Sequence, residues 1–577
     1  MSFLPITKKE IESLGWDYVD VIIVSGDAYV DHPSFGHAVI GRVLEKNGFR
    51  VAIIPQPNWR DDLRDFKKLG EPRLFFGVSA GVMDSMVNHY TALKRKRSDD
   101  AYTPGGEAGY RPDYATIVYS NILKEIYPQT PIIIGGIEAS MRRNAHYDYW
   151  SDSLKPSILV DSKADMLVYG MGEKTIVEIA QRLKKGEKIG QIKDIYQTGF
   201  ISKEIPNNDN WKTIELPSYE DCLKSKTKQA TSILQIEKTS NKIIGERLVQ
   251  KHGEGYVIIN PFNPNFSSTD LDNSFDLPYE RKPHPKYIKR GKITAFEMIK
   301  FSVNIHRGCF GGCSFCTIAA HQGKQIISRS ENSILKEIDL IAKDQEFKGY
   351  LSDLGAPSAN MYKMKGIDLK LCQNCSKPSC IFPKICNNLN FDHKPLLDLY
   401  EKVRALPYIK KAFVGSGIRY DLFIGIDKEK EKKYHTREYF ETVFQHHISG
   451  RLKVAPEHTE DKVLNLIRKP SFNQFISLKH LFDDLNKKHN LKQQLIPYFI
   501  SSHPVCTLKD MQSLAQKTKQ LGYRLEQVQD FTPTPMTIST EMYYTGIDIM
   551  TKEKIFIEKT LEGKRKQNQA FFWYKKQ

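Results

Sequence analysis

Short, almost wholly apolar runs alternate with amphipathic stretches twice along the 577 residues, and this alternation restricts the fold more than any other feature of the chain. In the first block, DVIIVSG (20–26), RVAIIPQ (50–56), PRLFFGVSA (72–80), TPIIIGGIE (130–138) and ADMLVYGMG (164–172) are too short for helices and are bounded by Gly or Pro, so they are expected as strands. HAVIGRVLEKNGF, YATIVYSNILKEIY and EKTIVEIAQRLKKG lie between or after them with helical periodicity. Continuously apolar strands separated by helices imply a parallel sheet covered on both faces. The spacing therefore predicts an α/β fold with a Rossmann-like or flavodoxin-like domain over residues 1–185. Ligands of such a sheet belong at the strand C-terminal ends, here SGDAYVDHPSFG, GVSAGVMDSM and GGIEASMRRN.

Residues 186–294 are polar and turn-rich and are expected as an irregular connecting region. From 295 to 577 the alternation resumes with six strand candidates, FSVNIHR (301–307), GYLSDLG (349–355), KKAFVGSG (410–417), RLKVAPE (451–457), QLIPYFISS (494–502) and EQVQDFTP (526–533), separated by amphipathic helices. Six strand–helix units predict a partial (β/α)6 TIM-type barrel, with its chemistry at the strand C-terminal ends. The length fits several cores, at about 150 residues per domain. No apolar run reaches membrane-spanning length and the N-terminus lacks a secretory layout, so a cytoplasmic protein with no membrane partner is expected. The formal charge of +17 admits an RNA partner, although the lysines are scattered along helix-like segments and not gathered in a stripe.

In a reducing compartment clustered cysteines serve metal or redox chemistry more often than disulfides. Seven of the nine cysteines fall into two groups. Cys309, Cys313 and Cys316 follow the first strand of the second block with the spacing C-x3-C-x2-C. Three thiolates suit a closed four-ligand zinc site poorly; a four-iron cluster on three cysteines keeps one iron open. Gly308, Gly311 and Gly312 let a loop curl around a bulky group. Cys372, Cys375, Cys380 and Cys386 lie in an insertion over about 363–390 and can close a zinc site or hold an auxiliary cluster, the self-sufficient four-ligand zinc site being favoured. Cys506 and Cys222 stand alone, as small buried residues usually do.

C-x3-C-x-aromatic-C, with Phe315 before the last cysteine, resembles the signature of radical S-adenosylmethionine (SAM) enzymes. HRGCFGGCSFC, SDLGAPSANMY, CQNCSKPSCIFPKIC, VGSGIRYDL, KVAPEHTEDKVL, PYFISSHPVCTL and QDFTPTPMTISTEMYYTGID, in that order, resemble the YgiQ-type radical SAM proteins over nearly the whole chain. The resemblance implies a [4Fe-4S] cluster on Cys309, Cys313 and Cys316, SAM on the fourth iron with Phe315 near the adenine, and reductive cleavage of SAM to a 5′-deoxyadenosyl radical that acts on a substrate not yet known. It also implies a one-electron donor such as flavodoxin or ferredoxin. RNA and protein side chains are the substrate classes considered. The superfamily's Gly-Gly-Glu, which holds the SAM amino group, is replaced here by Leu354-Gly355-Ala356-Pro357, so carbonyls around Gly355 and Ala356 are expected to take that role. Ser416 and Arg419 are placed to meet the SAM ribose or carboxylate, and Glu457 ribose or substrate. A Rossmann-like domain ahead of such a barrel resembles cobalamin-dependent enzymes, but Asp31-His32-Pro33-Ser34-Phe35-Gly36 misses the Asp-x-His-x-x-Gly spacing at both ends, and cobalamin is not expected. The rival class is an iron–sulfur or zinc RNA-binding or regulatory protein that keeps the fold without turnover.

Overall fold

The computed structural model describes residues 3–207 and 210–575 and divides the chain into two compact units, one built mainly from residues before Phe301 and the other from Phe301 onward. In the first unit β1 (Val21–Ser25), β2 (Val51–Pro55), β3 (Phe75–Ser79), β4 (Ile132–Ile134) and β5 (Met166–Val168) pair in parallel in the order β2-β1-β3-β4-β5. Their near-complete burial explains why they lack polar alternation. Ile23, Ile53 and Ile133 pack with Leu44 of helix α1 (Gly36–Lys46) and with Ile176, Ile179 and Ala180 of α3 (Glu173–Lys184). The intervening strand residues face the other way, where α2 (Ala115–Ile126) lies against β3 and β4.

The connecting region is more ordered than its composition suggests. Residues 186–294 supply β6 (Thr198–Ser202), β7 (Thr213–Leu216), β8 (Arg247–His252) and β9 (Gly255–Ile259), which extend the same sheet to nine strands in the order β7-β8-β9-β6-β5 beyond its parallel part. β6 runs antiparallel to both β5 and β9, and β8 and β9 form a hairpin closed by Gly253-Glu254. β6, β8 and β9 gain burial by joining an existing sheet, whereas the edge strand β7 stays largely exposed, and polar turn sequences surround them. The two apolar runs flanking a Gly-containing turn in RLVQKHGEGYVIIN were the available signal.

In the second unit β10 (Ser302–Asn304) pairs in parallel with β11 (Asp353–Gly355), and Tyr350–Leu351 just before β11 pair in parallel with β12 (Lys411–Ala412). β13 (Arg451–Glu457), β14 (Gln494–Ser501) and β15 (Gln527–Asp530) form a second parallel group. Helices α4 (Glu331–Ala342), α5 (Lys394–Arg404), α6 (Thr436–His446), α7 (Asp461–Ile467) with α8 (Phe472–Lys488), and α9 (Leu508–Gln520) follow successive strands. Ser330 and Ser471 cap α4 and α8, and Thr507 with Asp510 forms a capping box on α9, which satisfies backbone N–H groups that have no partner in the first turn. The fold is thus mixed α/β with a large parallel sheet. Among the described residues no helix is long and apolar enough to cross a membrane.

Candidate functional site

The three-cysteine loop leaves β10 at its C-terminal end, and its neighbours come from the ends of the following strands. Gly308 has φ +87°, and a Cβ there would stand 2.0 Å from the carbonyl oxygen of Gln325. Gly312 has φ +65°, with a Cβ position 2.3 Å from the carbonyl oxygen of Pro378. Backbone cannot yield as a flexible side chain can, so Gly308→Ala is expected to cost at least about 1–3 kcal/mol from the left-handed backbone alone. A lowered melting temperature checks this; a variant with an unchanged value would show that the loop relaxes freely.

Within the loop the Gly311 N–H donates to Cys309 Sγ (3.4 Å), and the Ser358 hydroxyl lies 3.5 Å from the same sulfur. Arg419, in the loop after β12, donates from Nη1 to Cys313 Sγ (3.2 Å). The rest of its guanidinium forms a fork with Asp421, Nε to Oδ1 at 3.0 Å and Nη2 to Oδ2 at 2.5 Å. Asn360 grips the Arg419 backbone, accepting from its N–H at 2.8 Å and donating to its carbonyl at 3.0 Å. Burial, with the neighbouring thiols as a further cause, pushes the Cys316 thiol up to about 12; burial also raises Cys309. All three cysteines thus share one electrostatic neighbourhood in a largely desolvated pocket beside a fixed cation. At Cys309 and Cys316 burial disfavours the charged thiolate.

Ser314, inside the loop, is buried, and its hydroxyl donates to the carbonyl of Leu466 (2.6 Å). It also lies 2.7 Å from the Ser539 hydroxyl, which is 2.7 Å from Nε2 of buried His503. These bonds anchor the middle of the loop. Phe315 is half-buried.

Of the residues expected to meet SAM, several already have partners. Ser416 donates its hydroxyl to Asp353, whose Oδ1 also accepts from the N–H groups of Gly415 (2.8 Å) and Ser416 (3.1 Å). Burial raises the Asp353 carboxyl. The Gly355 carbonyl accepts from the Ile305 N–H at 2.9 Å, leaving it one further lone pair, and Ala356 is buried beside it. Glu457 closes β13 with φ +68° after a register shift, and its carboxylate pairs with Lys469 at 3.2 Å. Ser502, just beyond β14, has φ +59°. Left-handed non-glycine residues at two successive strand ends concentrate backbone strain where the loops gather. Ser358, Asn360, Asp421, Lys469 and Ser314 are not singled out by the sequence, although all but Lys469 lie inside SDLGAPSANMY, VGSGIRYDL or HRGCFGGCSFC.

The second cysteine group packs on the first. The Cys380 N–H donates to the Phe310 carbonyl (3.0 Å), and Phe310 and Ile381 share a small core against which Cys309, Cys380 and Cys386 pack. Cys372 and Cys380 are raised first by burial, with other thiols of the group as lesser causes. All nine cysteines are free thiols. Among the described residues no three Cys, His, Asp or Glu side chains converge tightly enough to ligate a single ion. This holds for both cysteine groups alike. In the front unit His32 is buried, with Nδ1 accepting from the Ser34 N–H (3.1 Å) and Nε2 3.1 Å from Arg281.

A family model described as Radical SAM N-terminal matches residues 3–302, which defines the chain as a member of the radical SAM superfamily. A second, described as a domain of unknown function (DUF3362), matches residues 526–577. UPF0313 proteins of Bacteroides thetaiotaomicron and Porphyromonas gingivalis are each 57% identical to it, covering 99% and 100% of this chain and 94% and 91% of their own lengths. One from Methanocella arvoryzae is 48% identical over 97% of this chain and 91% of its own. The chain belongs to the UPF0313 family, the YgiQ-type radical SAM proteins. Among solved structures, the radical SAM methyltransferase TsrM from Kitasatospora setae, in a form with tryptophan substrate and a SAM analog bound, covers 90% of this chain and 75% of its own at 14% identity and a TM-score of 0.47.

Proposed function

We propose that this chain is a radical SAM enzyme whose front unit is flavodoxin-like and whose second unit is a partial (β/α)6 barrel, with a [4Fe-4S] cluster on Cys309, Cys313 and Cys316. The observation that carries this reading is the desolvated three-thiol loop at the end of β10 with the Arg419 guanidinium on Cys313. When bound and reduced, the cluster supplies the electron that splits SAM into methionine and a 5′-deoxyadenosyl radical. Arg419 holds positive charge against the sulfurs, and hydrogen bonds to cluster sulfurs are a recognised means of tuning potential. Ser358 and the Gly311 N–H orient Cys309. Gly355 and Ala356 border the loop where the SAM ammonium would sit, while Ser416 and Glu457 act by holding Asp353 and Lys469. Phe315 supplies a ring for the adenine.

The second cysteine group would hold zinc or an auxiliary cluster, which metal analysis of the purified protein would tell apart. The reaction needs a one-electron donor such as flavodoxin or ferredoxin and a compartment that keeps thiols reduced, the cytoplasm. RNA, suggested by the positive charge, and protein side chains are the substrates to screen first.

The test is anaerobic reconstitution with iron and sulfide, addition of dithionite and SAM, and chromatography for 5′-deoxyadenosine. The wild-type protein is expected to form the nucleoside and Cys313→Ala to form none. One observation favours the rival reading of a regulatory protein without turnover: Leu354-Gly355-Ala356-Pro357 brings no carboxylate, and the nearby Asp353 carboxylate is taken by Gly415 and Ser416. A fully loaded cluster that yields no nucleoside with several reductants would establish that reading instead.

A further inference from the structure

The front unit contains a cavity of about 450 Å³ just beyond the C-terminal end of β2. Three segments distant in sequence build its wall: Pro55–Lys68, Ala108–Tyr110 and Lys286–Arg290. The volume lies in the range of small-molecule sites, and parallel α/β sheets bind ligands beyond the carboxyl ends of their strands. Its lining is strongly positive. Arg60, Lys68, Lys286 and Arg290 face a single carboxylate, Asp65.

Asp65 is already engaged, 3.0 Å from Lys68 Nζ and accepting from the Asn58 N–H at 2.9 Å. Among the described residues no ion pair joins Arg60, Lys286 or Arg290 to a carboxylate; Arg60 Nη1 donates to the Gly109 carbonyl at 3.2 Å. The Lys286 ammonium is lowered to about 8, first by desolvation in the cavity wall and then by Lys68, with Arg290 adding to the effect. Unpaired like charges held together in a concavity are unfavourable unless an anion joins them.

The wall also carries three aromatic rings, Trp59, Tyr110 and Tyr287. Arg60 lies over the Trp59 ring with its guanidinium carbon 4.3 Å from the centroid, and Arg290 lies 5.0 Å from the centroid of Tyr110. Tyr287 is fixed in the floor, its hydroxyl accepting from the Tyr29 N–H at 3.0 Å. Aromatic rings beside guanidinium groups form platforms for planar rings. A bare inorganic anion would use the cations alone, whereas a nucleotide would add stacking of its base on these guanidinium–aromatic pairs.

We infer that this cavity binds a nucleoside monophosphate, its phosphate on Lys286 and Arg290 and its base on the Trp59 and Tyr110 side. The site lies wholly within the front unit, and the inference does not depend on the cysteine loop. The test is calorimetric titration of the full-length, cluster-loaded protein with adenosine 5′-monophosphate, ribose 5-phosphate and adenosine. The monophosphate is expected to bind about tenfold or more tightly than either fragment, because each fragment loses one of the two contacts. Lys286→Glu and Arg290→Glu are each expected to weaken it by about tenfold or more, through loss of attraction and added repulsion. Trp59→Ala is expected to weaken the monophosphate by about tenfold while leaving ribose 5-phosphate nearly unchanged. Cys313→Ala, which alters the other site, is expected to leave this binding unchanged. Charge-neutral Lys286→Met serves in place of a charge reversal that fails to fold. Absence of binding at about 10 mM monophosphate, where even a millimolar site fills, or binding indifferent to the Lys286 and Arg290 variants, overturns the inference. Equal affinity for ribose 5-phosphate and adenosine monophosphate overturns the assignment of a nucleotide.

Discussion

Arg419→Gln is expected to lower iron loading or SAM cleavage by about 10–100-fold, the usual effect of removing a partner that supports metal ligands, and to destabilise the second unit by about 3–5 kcal/mol, the cost of stranding a buried charge. The guanidinium serves two groups at once. It donates to Cys313 Sγ at 3.2 Å and forks onto Asp421 at 3.0 and 2.5 Å, and the side chains of Arg419 and Asp421 are only 9% and 7% exposed. Glutamine cannot reproduce the charge or the fork, and the Asp421 carboxylate is left buried without its counter-ion. The double variant Arg419→Gln/Asp421→Asn separates the two roles. Removing both charges should restore most of the stability and little of the iron loading, because only the stability defect originates at Asp421. Denaturant midpoints and iron content measured on the same preparations give the answer. Recovery of both properties in the double variant would reduce Arg419 to a purely structural ion pair, and unchanged loading in the single variant would remove it from the cysteine site.

The asymmetry between these partners also shows what sequence can convey. Strand and helix positions in both blocks were legible because they depend on local periodicity: VIIVS and VAIIP are buried along their whole length, and Ile176, Ile179 and Ala180 recur at helical spacing on one face of α3. The cysteine loop was legible because its three sulfurs and three glycines lie within nine residues. The partners of the loop were not legible. Asn360 is 59 residues from Arg419, Arg419 is 106 from Cys313, and Ser314 meets a hydroxyl 225 residues away. Such bonds follow from which strand ends gather together, and no local pattern encodes that. Residues expected to touch SAM directly, Ser416 and Glu457, sit at the expected strand ends, but their polar atoms are held by Asp353 and Lys469. Position along a strand is readable from periodicity; the partner of a side chain at its end requires the tertiary structure.

Arg111→Met is expected to destabilise the front unit by about 3–5 kcal/mol, because it removes the cation from between two buried carboxylates, and to change the pH dependence of stability as well. Arg111 is buried, 2.9 Å from Asp27 and 3.1 Å from Asp100, and Nη1 donates to the carbonyl of Ala80 at 2.7 Å. Burial raises the Asp27 carboxyl to about 6, with Arg111 the largest opposing influence and the Val82 N–H the next. Since the unfolded carboxyl titrates near about 3.9, the folded protein holds more protons than the unfolded chain between about pH 4 and 6. The contribution of Asp27 to stability therefore falls as pH rises through that window and is level above it. Without Arg111 the folded carboxyl is raised further, so the decline continues to higher pH. Asp27→Asn added to Arg111→Met should remove that extension, since an amide does not titrate. Denaturant midpoints at pH 5, 6, 7 and 8 for the three proteins test this: the single variant should lose stability fastest toward pH 8, and the double variant should regain a flat profile. Parallel curves for wild type and Arg111→Met would show that the guanidinium does not set the charge of Asp27, and the network at the end of β1 would then be held by hydrogen bonds alone.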